Sequence, residues 1–515
     1  MDAEETKIIA SSTGAILGHT KFATTDASTS TLNDQNACEK TFAETLSCIN
    51  SSSDVDYSTL EENSQAQSAA LDHSNIDLEK QAERKPRGSL YSWVRWTALN
   101  TYRRLFSVVF TANLIAFIIV WVRHRNLLAF VDGAAANLLV CGLARQPLVV
   151  NTLFLVACQI PRTAPIRLRT IAAKVFHFGG VHSGCGVASA IWYITFVGVM
   201  THQYTHGSLA HSPANTAVMV LAWLVLVLLC GIIVAAYPAL RMKYHDVFEW
   251  THRFSGWLVI LMFWPLLLTF ASQQQPSMGI FLIKQPTFWI LLILTAAIIQ
   301  PWAMLRKVKV TPEPLSSHAI RLHFDFTTTK FGQGISISRH PLKDWHSFAS
   351  FPDRYDTPDH KFSLVVSKAG DFTAGIINNP PTHIWKRSIP IYGFGKVMSL
   401  YSRMILVTTG SGIGPCMSFL ADDDRPAMRV LWQTRTPEQT YGSRMIDLVH
   451  RLDPDPVILD TTKTKRTDML PFVIKLYNDF NAEAVCVISN PTMTKKLVFE
   501  LERRGILAMG PIFDS

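Results

Sequence analysis

Between residues 105 and 305 the chain repeats one pattern: an apolar run near the roughly 20 residues that span bilayer hydrocarbon, then a short polar connection. The runs lie at about 105–122, 134–158, 175–200, 214–236, 254–272 and 287–305. Each is predicted as a membrane helix, the second being interrupted by Arg145, Gln146 and Pro147. The connections differ in charge. Loop 161–174 carries Arg162, Arg167, Arg169 and Lys174, and loop 237–253 carries Arg241, Lys243 and Arg253; loops 201–213 and 273–286 hold only Lys284 between them. Lys and Arg favour the cytosolic side, so the expected topology is six spans with both termini cytosolic. Arg123 and Arg125, after the first span, run against that bias.

The pattern changes on both sides of this block. Residues 1–90 are rich in Ser, Thr, Asn, Asp and Glu and poor in aromatics. Such a segment buries too little apolar surface to offset its ordering entropy and reads as a disordered cytosolic tail. The stretch YSWVRWTALNTYRRL (91–105) then leads into the bilayer, with Trp93 and Trp96 suited to the interface. After Arg306 the apolar runs shorten and turn β-branched. VKVTPEP, AIRLHFDF, GISISR and KFSLVVSK predict a small antiparallel barrel over 307–400. From 401 to 515 strands and helices alternate, which predicts a parallel sheet with its ligand crevice at the strand ends.

Composition sharpens this outline. The chain is 48% hydrophobic and 17% charged, against about 25% charged in soluble domains, as a membrane portion requires. The net charge of +9 comes without a Lys/Arg run interleaved with aromatics, which argues against nucleic-acid binding. The eight cysteines show no metal or disulfide spacing. His202, His206 and His211 lie on one outer loop without a carboxylate or cysteine and read as solvated.

The chemistry gathers in the last two segments. RMILVTTGSGIGPCMSFL (403–420) reads as a buried strand, a glycine-spaced turn and a helix, the form in which backbone approaches a pyrophosphate. The strand VLWQTR (430–435) ends in Arg435, where a cation meets an adenosine ribose or its phosphate. AVCVISNP (484–491) is a further buried strand with a turn at its carboxyl end. Upstream lie DWHSFASFPD, GDFT and IPIYGFGK, between the barrel strands.

The order HSFAS, GDFT, IYGFG, TTGSGIGP behind six spans resembles the ferric reductase and NADPH oxidase superfamily. With HFGGVHSGCG and the terminal GPIFDS, residues 95–515 look like a TmpA-type fungal integral membrane flavoprotein. The resemblance implies a six-helix transmembrane bundle followed by a cytosolic ferredoxin-reductase-like module, an antiparallel β-barrel plus an α/β nucleotide-binding domain. It implies FAD and NAD(P)H as cofactors. His346, Ser347 and Phe348 would contact the flavin side, and Thr373 and Gly393 would lie near the FAD pyrophosphate. Gly410, Gly412, Gly414 and Pro415 would hold the nicotinamide nucleotide, and Phe513 would cover the flavin ring. Phe348, His346 and Phe513 also have plain readings, as core, as a satisfied barrel histidine and as a docking residue. Ser347 and Ala349 depart from the family's H-P-F-[TS], and SNP (489–491) stands where many relatives have Cys-Gly-Pro.

In that superfamily two spans each carry two histidines that ligate b-type haems. His177 and His252 match the inner pair, while Ile191 and Pro265 stand at the outer positions and cannot bind iron. One inner haem on His177 and His252, or none, remains open. His182 is a rival ligand; five residues from His177, it points about 140° away on an ideal helix. The reading is a membrane oxidoreductase, in the plasma membrane or an endomembrane, surrounded by membrane lipid and passing electrons to a small-molecule acceptor. The alternative is a degenerate six-span transporter or scaffold with a nucleotide-binding cytosolic domain.

Overall fold

Apolar runs and their polar breaks set where the helices begin and end. The computed structural model describes residues 88–123, 126–275 and 277–512; the expected tail, up to residue 87, and Phe513 lie outside them. Among the described residues, eight helices of eight or more residues precede the barrel: α1 (Thr101–Arg123), α2 (Leu127–Leu143), α3 (Pro147–Ala157), α4 (Ile166–Ala173), α5 (Gly179–Thr205), α6 (Pro213–Ala235), α7 (His245–Ala271) and α8 (Pro286–Ala303). Five of them, α1, α5, α6, α7 and α8, are long and apolar enough to cross a membrane. The starts are written locally. Ser212 accepts a hydrogen bond from the Asn215 amide ahead of Pro213, and Asn126 does the same for Leu128.

The expected second span does not run straight. Gln146 Oε1 accepts from the amides of Leu148 (2.6 Å) and Val149 (3.0 Å), Pro147 takes the first helical position, and α3 leaves α2 at 72°. The bend sends the second half of that run onto the segments that follow the bundle, where Val150 and Phe154 join a core with Tyr392, Phe394 and Tyr401. A sixth span exists only if this bent pair is counted as one.

Within the bundle α5 is the most enclosed helix. Trp192, Tyr193 and Val197 pack against Phe130 of α2 and Ala222 and Val225 of α6. Small residues permit the approach: a Cβ on Gly133 would stand 2.6 Å from the Trp192 ring. Asn113 Oδ1 accepts from Asn137 Nδ2 (2.6 Å) and Trp192 Nε1 (3.0 Å), so these three polar side chains satisfy one another.

The barrel closes because two strands each serve both sheets. β1 (Arg306–Lys309) continues into β2 (Thr311–Pro314), and β5 (His346–Ala349) into β6 (Phe351–Pro352). With β3 (Ala319–Phe324), β4 (Gln333–Ser338), β7 (Phe362–Ser367) and β8 (His383–Tyr392) they form antiparallel sheets ordered β1-β8-β4-β5 and β2-β3-β7-β6. Alternate residues, among them Ile320, Leu322, Phe324, Leu364 and Val366, fill the interior. Helix α9 (Asp371–Asn378) follows β7.

The other face of β3 carries Arg321 and His323, 1% and 3% exposed, beneath the 353–361 loop. Arg321 pairs with Asp353 (2.6 Å) and Asp356, and His323 is held by Asp353 (2.8 Å) and Glu313 (3.0 Å). Every charge in this cluster has its partner.

The last domain is a five-stranded parallel sheet: β9 (Arg403–Thr409), β10 (Ala427–Thr434), β11 (Val457–Asp460), β12 (Ala484–Ile488) and β13 (Ala508–Met509). Its order is β11-β10-β9-β12-β13. Helices α11 (Ser443–Leu452), α12 (Leu470–Asp479) and α13 (Pro491–Arg503) connect the strands. The direction of winding reverses between β9 and β12, and ligand crevices of open α/β sheets form at such a reversal.

Candidate active site

The glycine turn stands at that reversal. Beyond Thr409 the chain makes one 3-10 turn, Gly410–Gly412, then the helix α10 (Ile413–Cys416), then a second 3-10 turn. A helix of one turn has little dipole, so an approach to phosphate falls to the turn's own backbone. Its three glycines have different reasons. Gly410 has φ +50°. A Cβ on Gly412 would stand 2.5 Å from both the Ile488 carbonyl oxygen and Thr408 Oγ1, so only glycine lets β9 and β12 lie this close. A Cβ on Gly414 would stand 3.1 Å from Val365, across the boundary with the barrel. Pro415 sits in the first turn of α10, where an amide has no intrahelical partner to lose.

Across the crevice, Ser489 ends β12 and its hydroxyl hydrogen-bonds that of Thr409 at 2.5 Å. Asn490 Oδ1 caps α13 by accepting from the Met493 amide. Beneath the turn, Trp432 Nε1 donates to the Gly410 carbonyl (3.0 Å), and Tyr441 packs on Trp432. Arg435 is exposed at the carboxyl end of β10, and its guanidinium has no partner among the described residues.

On the barrel side, His346 is gripped between Asp344 (Nε2 to Oδ2, 3.2 Å) and the ring of Phe372, stacked at 4.0 Å. The hydroxyls of Ser347 and Ser336 pair at 2.7 Å. Phe348 belongs to the barrel core. Thr373 Oγ1 accepts from the amides of Ala369 (2.8 Å) and Gly370 (3.0 Å) and donates to the Gly370 carbonyl, which commits it to the turn that opens α9. The Gly393 amide donates to the carbonyl of Gly332 (2.8 Å), whose φ of +76° brings two backbone turns together.

Residues that the sequence did not single out lie next to these. The register of β8 slips between Arg387 and Ile391, and Ser388 sits in the slip with φ +62°, buried, its hydroxyl without a partner. Arg387 stacks between Trp302 (5.0 Å) and Trp345 (4.6 Å) with no carboxylate among the described residues. Burial, with Arg253 nearby, pulls its pKa down to about 10. An orphaned buried hydroxyl beside an uncompensated cation fits an anionic, hydrogen-bonding ligand such as a flavin nucleotide.

The same strand is held from the helices that precede the barrel. Asn151 of α3 donates from Nδ2 to the Pro390 carbonyl (3.0 Å) and accepts at Oδ1 from the Tyr392 amide (2.8 Å). Arg169 of α4 makes a two-pronged pair with Glu483 (2.9 and 3.0 Å) and donates to the Leu400 carbonyl. An Asn inside an apolar run was the one sequence signal for the first contact; nothing local signals the second.

Inside the bundle the ring facing His252 is that of His182, at 6.1 Å between centroids. His182 Nδ1 donates to the Cys141 carbonyl (2.9 Å), which leaves Nε2 as the uncommitted nitrogen, and His252 Nδ1 has no partner. His177 lies instead against Phe176, with Nδ1 at the Lys174 carbonyl. In this structure His252 thus faces His182, the rival ligand, and not His177. His177 ends a 3-10 turn, and α5 starts only at Gly179, so angles of an ideal helix do not apply. The outer-loop histidines form no cluster of three metal-binding side chains among the described residues.

Residues 394–515 match the family model described as adenylate-forming reductase 03009, C-terminal domain. Two proteins of Coprinopsis cinerea, adenylate-forming reductases 03009 and 06235, are 41% and 39% identical over 435 and 445 residues. These matches cover 84% and 85% of this chain and 42% of each relative, so the chain spans less than half the length of the curated relatives it matches. A solved ferredoxin-NADP+ reductase from Plasmodium falciparum in complex with 2'P-AMP is similar at 11% identity and a TM-score of 0.30, covering 40% of this chain and 95% of that one.

Proposed function

We propose that this chain is a membrane-bound NAD(P)H-dependent flavin oxidoreductase, a TmpA-type member of the ferric reductase and NADPH oxidase superfamily. The observation that carries this reading is the strand reversal between β9 and β12, with Gly410–Pro415 on one side and Ser489 on the other, in a sheet joined to a closed antiparallel barrel. The word reductase in the relatives' names agrees with it. The six-span bundle with both termini cytosolic, in a plasma membrane or endomembrane, belongs to the same proposal.

FAD, when bound, supplies the conversion between a two-electron donor and one-electron steps. The chain's own residues do the rest. The glycine turn admits the dinucleotide's pyrophosphate to the crevice, and Arg435 presents a cation to its ribose or 2′-phosphate. Arg387 and Ser388 give the flavin nucleotide a charge and a hydrogen bond. Asn151 fixes the strand that bears both. A haem, if bound, would be held by His182 and His252 and would supply one-electron chemistry. With Ile191 and Pro265 at the outer positions no second haem follows, so the acceptor is cytosolic or enters from the bilayer, and roles in fungal metabolite biosynthesis or developmental signalling suit such chemistry.

A second reading, a nucleotide-binding scaffold without catalysis, is favoured by Thr373 and Ser489, whose hydroxyls are committed within the protein. An absorption spectrum of the purified full chain, before and after NADPH, decides between the two. The expected result is a flavin band that bleaches, with any Soret band lost in His182→Ala and His252→Ala and retained in His177→Ala. A well-folded, FAD-supplemented sample with no flavin leaves the scaffold.

A further inference from the structure

A groove of about 910 Å³ lies outside the electron path, lined by Tyr91, Arg95, Ile166, Arg167, Ile171 and Leu507. Three parts of the chain meet there. Tyr91 and Arg95 come from the short helical segment 89–98, which directly precedes α1. Ile166, Arg167 and Ile171 come from α4, which directly precedes α5. Leu507 leads into β13 of the nucleotide domain. Two of the three parts thus enter apolar helices at the same end of the bundle, the end that carries the basic loops.

The groove's rim is apolar and uncovered. Leu90 is 75% and Ile171 71% exposed, and Trp93 and Leu168 stand out beside them. Its floor is cationic. Arg167 makes no hydrogen bond or ion pair among the described residues, Arg95 donates to the Tyr91 hydroxyl (2.7 Å), and Arg104 Nη2 donates to the Arg95 carbonyl. Aromatic and branched side chains around clustered cations, at the mouth of membrane helices, match a molecule with an anionic head and an apolar tail.

We propose that this groove binds an anionic phospholipid of the cytosolic leaflet, its phosphate at Arg167 and Arg95 and its acyl chains along Ile166, Ile171 and the rim. The inference rests on the reading that the apolar helices cross a membrane. Because Leu507 belongs to the nucleotide domain, the bound lipid touches that domain as well as the two membrane-entry segments.

The test uses the full chain in neutral detergent micelles, titrated with fluorescent phosphatidylserine and with phosphatidylcholine of the same acyl chains. Wild type should prefer phosphatidylserine. Arg167→Gln should bind it about fivefold more weakly, the effect of one interfacial cation at about 1 kcal/mol. Arg425→Gln, a cation remote from the groove, should bind as wild type does, and glycerophosphoserine, which has no acyl chains, should not compete. Equal affinity for the two lipids overturns the proposal, and so does an unchanged preference in Arg167→Gln. Displacement by glycerophosphoserine overturns it in favour of a free-phosphate site. A chain that stays monodisperse without detergent overturns the membrane reading itself. Far-ultraviolet dichroism of the variants shows that their fold is kept.

Discussion

The two sides of the barrel treat polar groups in opposite ways. On the outer face of β3, Arg321, His323, Asp353, Asp356 and Glu313 satisfy one another completely although most of them are buried. In the β8 slip, Ser388 is buried with an idle hydroxyl, and Arg387 lies between tryptophan rings with no carboxylate partner among the described residues. Buried polar groups are nearly always paired, so the first cluster reads as structure and the second as a site that a ligand completes. Removing a residue from the first should unfold the protein; removing one from the second should spare the fold and weaken the ligand.

The largest effect is expected at Arg321. Arg321→Leu leaves Asp353 buried beside an unbalanced charge, a loss on the order of 3–5 kcal/mol, and the full chain should show a greatly lowered Tm or fail to fold. A Tm within a few degrees of wild type would break the contrast.

Gly412→Ala comes next. Its Cβ forces β9 and β12 apart at the reversal, and over-packing of this kind costs about 1–3 kcal/mol. NADPH affinity should fall at least about tenfold while FAD stays bound, as read by NADPH titration of the flavin band. Asn151→Leu strands the Pro390 carbonyl and the Tyr392 amide, at about 1–3 kcal/mol for the groups left unpaired. Its fingerprint should be faster loss of FAD on dilution, with NADPH affinity unchanged.

Ser388→Ala tests the other half directly. Without a protein partner to lose, the FAD-free protein should keep its Tm, whereas FAD should bind about fivefold more weakly, near 1 kcal/mol for one hydrogen bond. A Tm drop without flavin would place the hydroxyl in the structural class.

The smallest effect is one of pH. Burial opposes the charge on His323, but the hydrogen bonds it donates to Asp353 and Glu313 outweigh it and hold its pKa above the ordinary value near 6.5. Stability from this charge is full below that ordinary value and is lost as pH rises through the folded pKa. Burial also opposes the Asp353 charge, yet His323 and Arg321 hold its pKa below the usual carboxylate range. That contribution is present above the ordinary value and is lost as pH falls through the folded one. Urea unfolding of wild type should weaken from pH 6.5 to 9, and His323→Gln should flatten this alkaline arm.

What the sequence disclosed was whatever is settled by neighbours along the chain. The turn at Gly410–Pro415, the flanking strands and the short barrel strands follow from turn chemistry and alternation, and all appear where expected. The break at Arg145-Gln146-Pro147 was legible as an interruption, but the place where α3 lands was not, because Asn151 meets a strand some 240 residues later. His182 was named as the rival ligand, but its direction was not legible: the preceding turn is 3-10, which shifts every angle counted from His177. Thr373 shows a third limit. A hydroxyl in a motif can be spent on its own backbone, and only the folded turn reveals it.

The fastening of α3 to β8 bears on how such proteins can be recombined. By chain order, the seam between the apolar helices and the barrel lies near Leu305. By contact, residues 146–173 travel with the barrel and the parallel sheet, because Asn151 clamps β8 and Arg169 clamps Glu483. A chimera joined only at Leu305 would graft a foreign cradle under its own β8. One that also carries residues 146–173 across from the same parent keeps matched parts together, and it is the exchange that lineages with different bundles can tolerate.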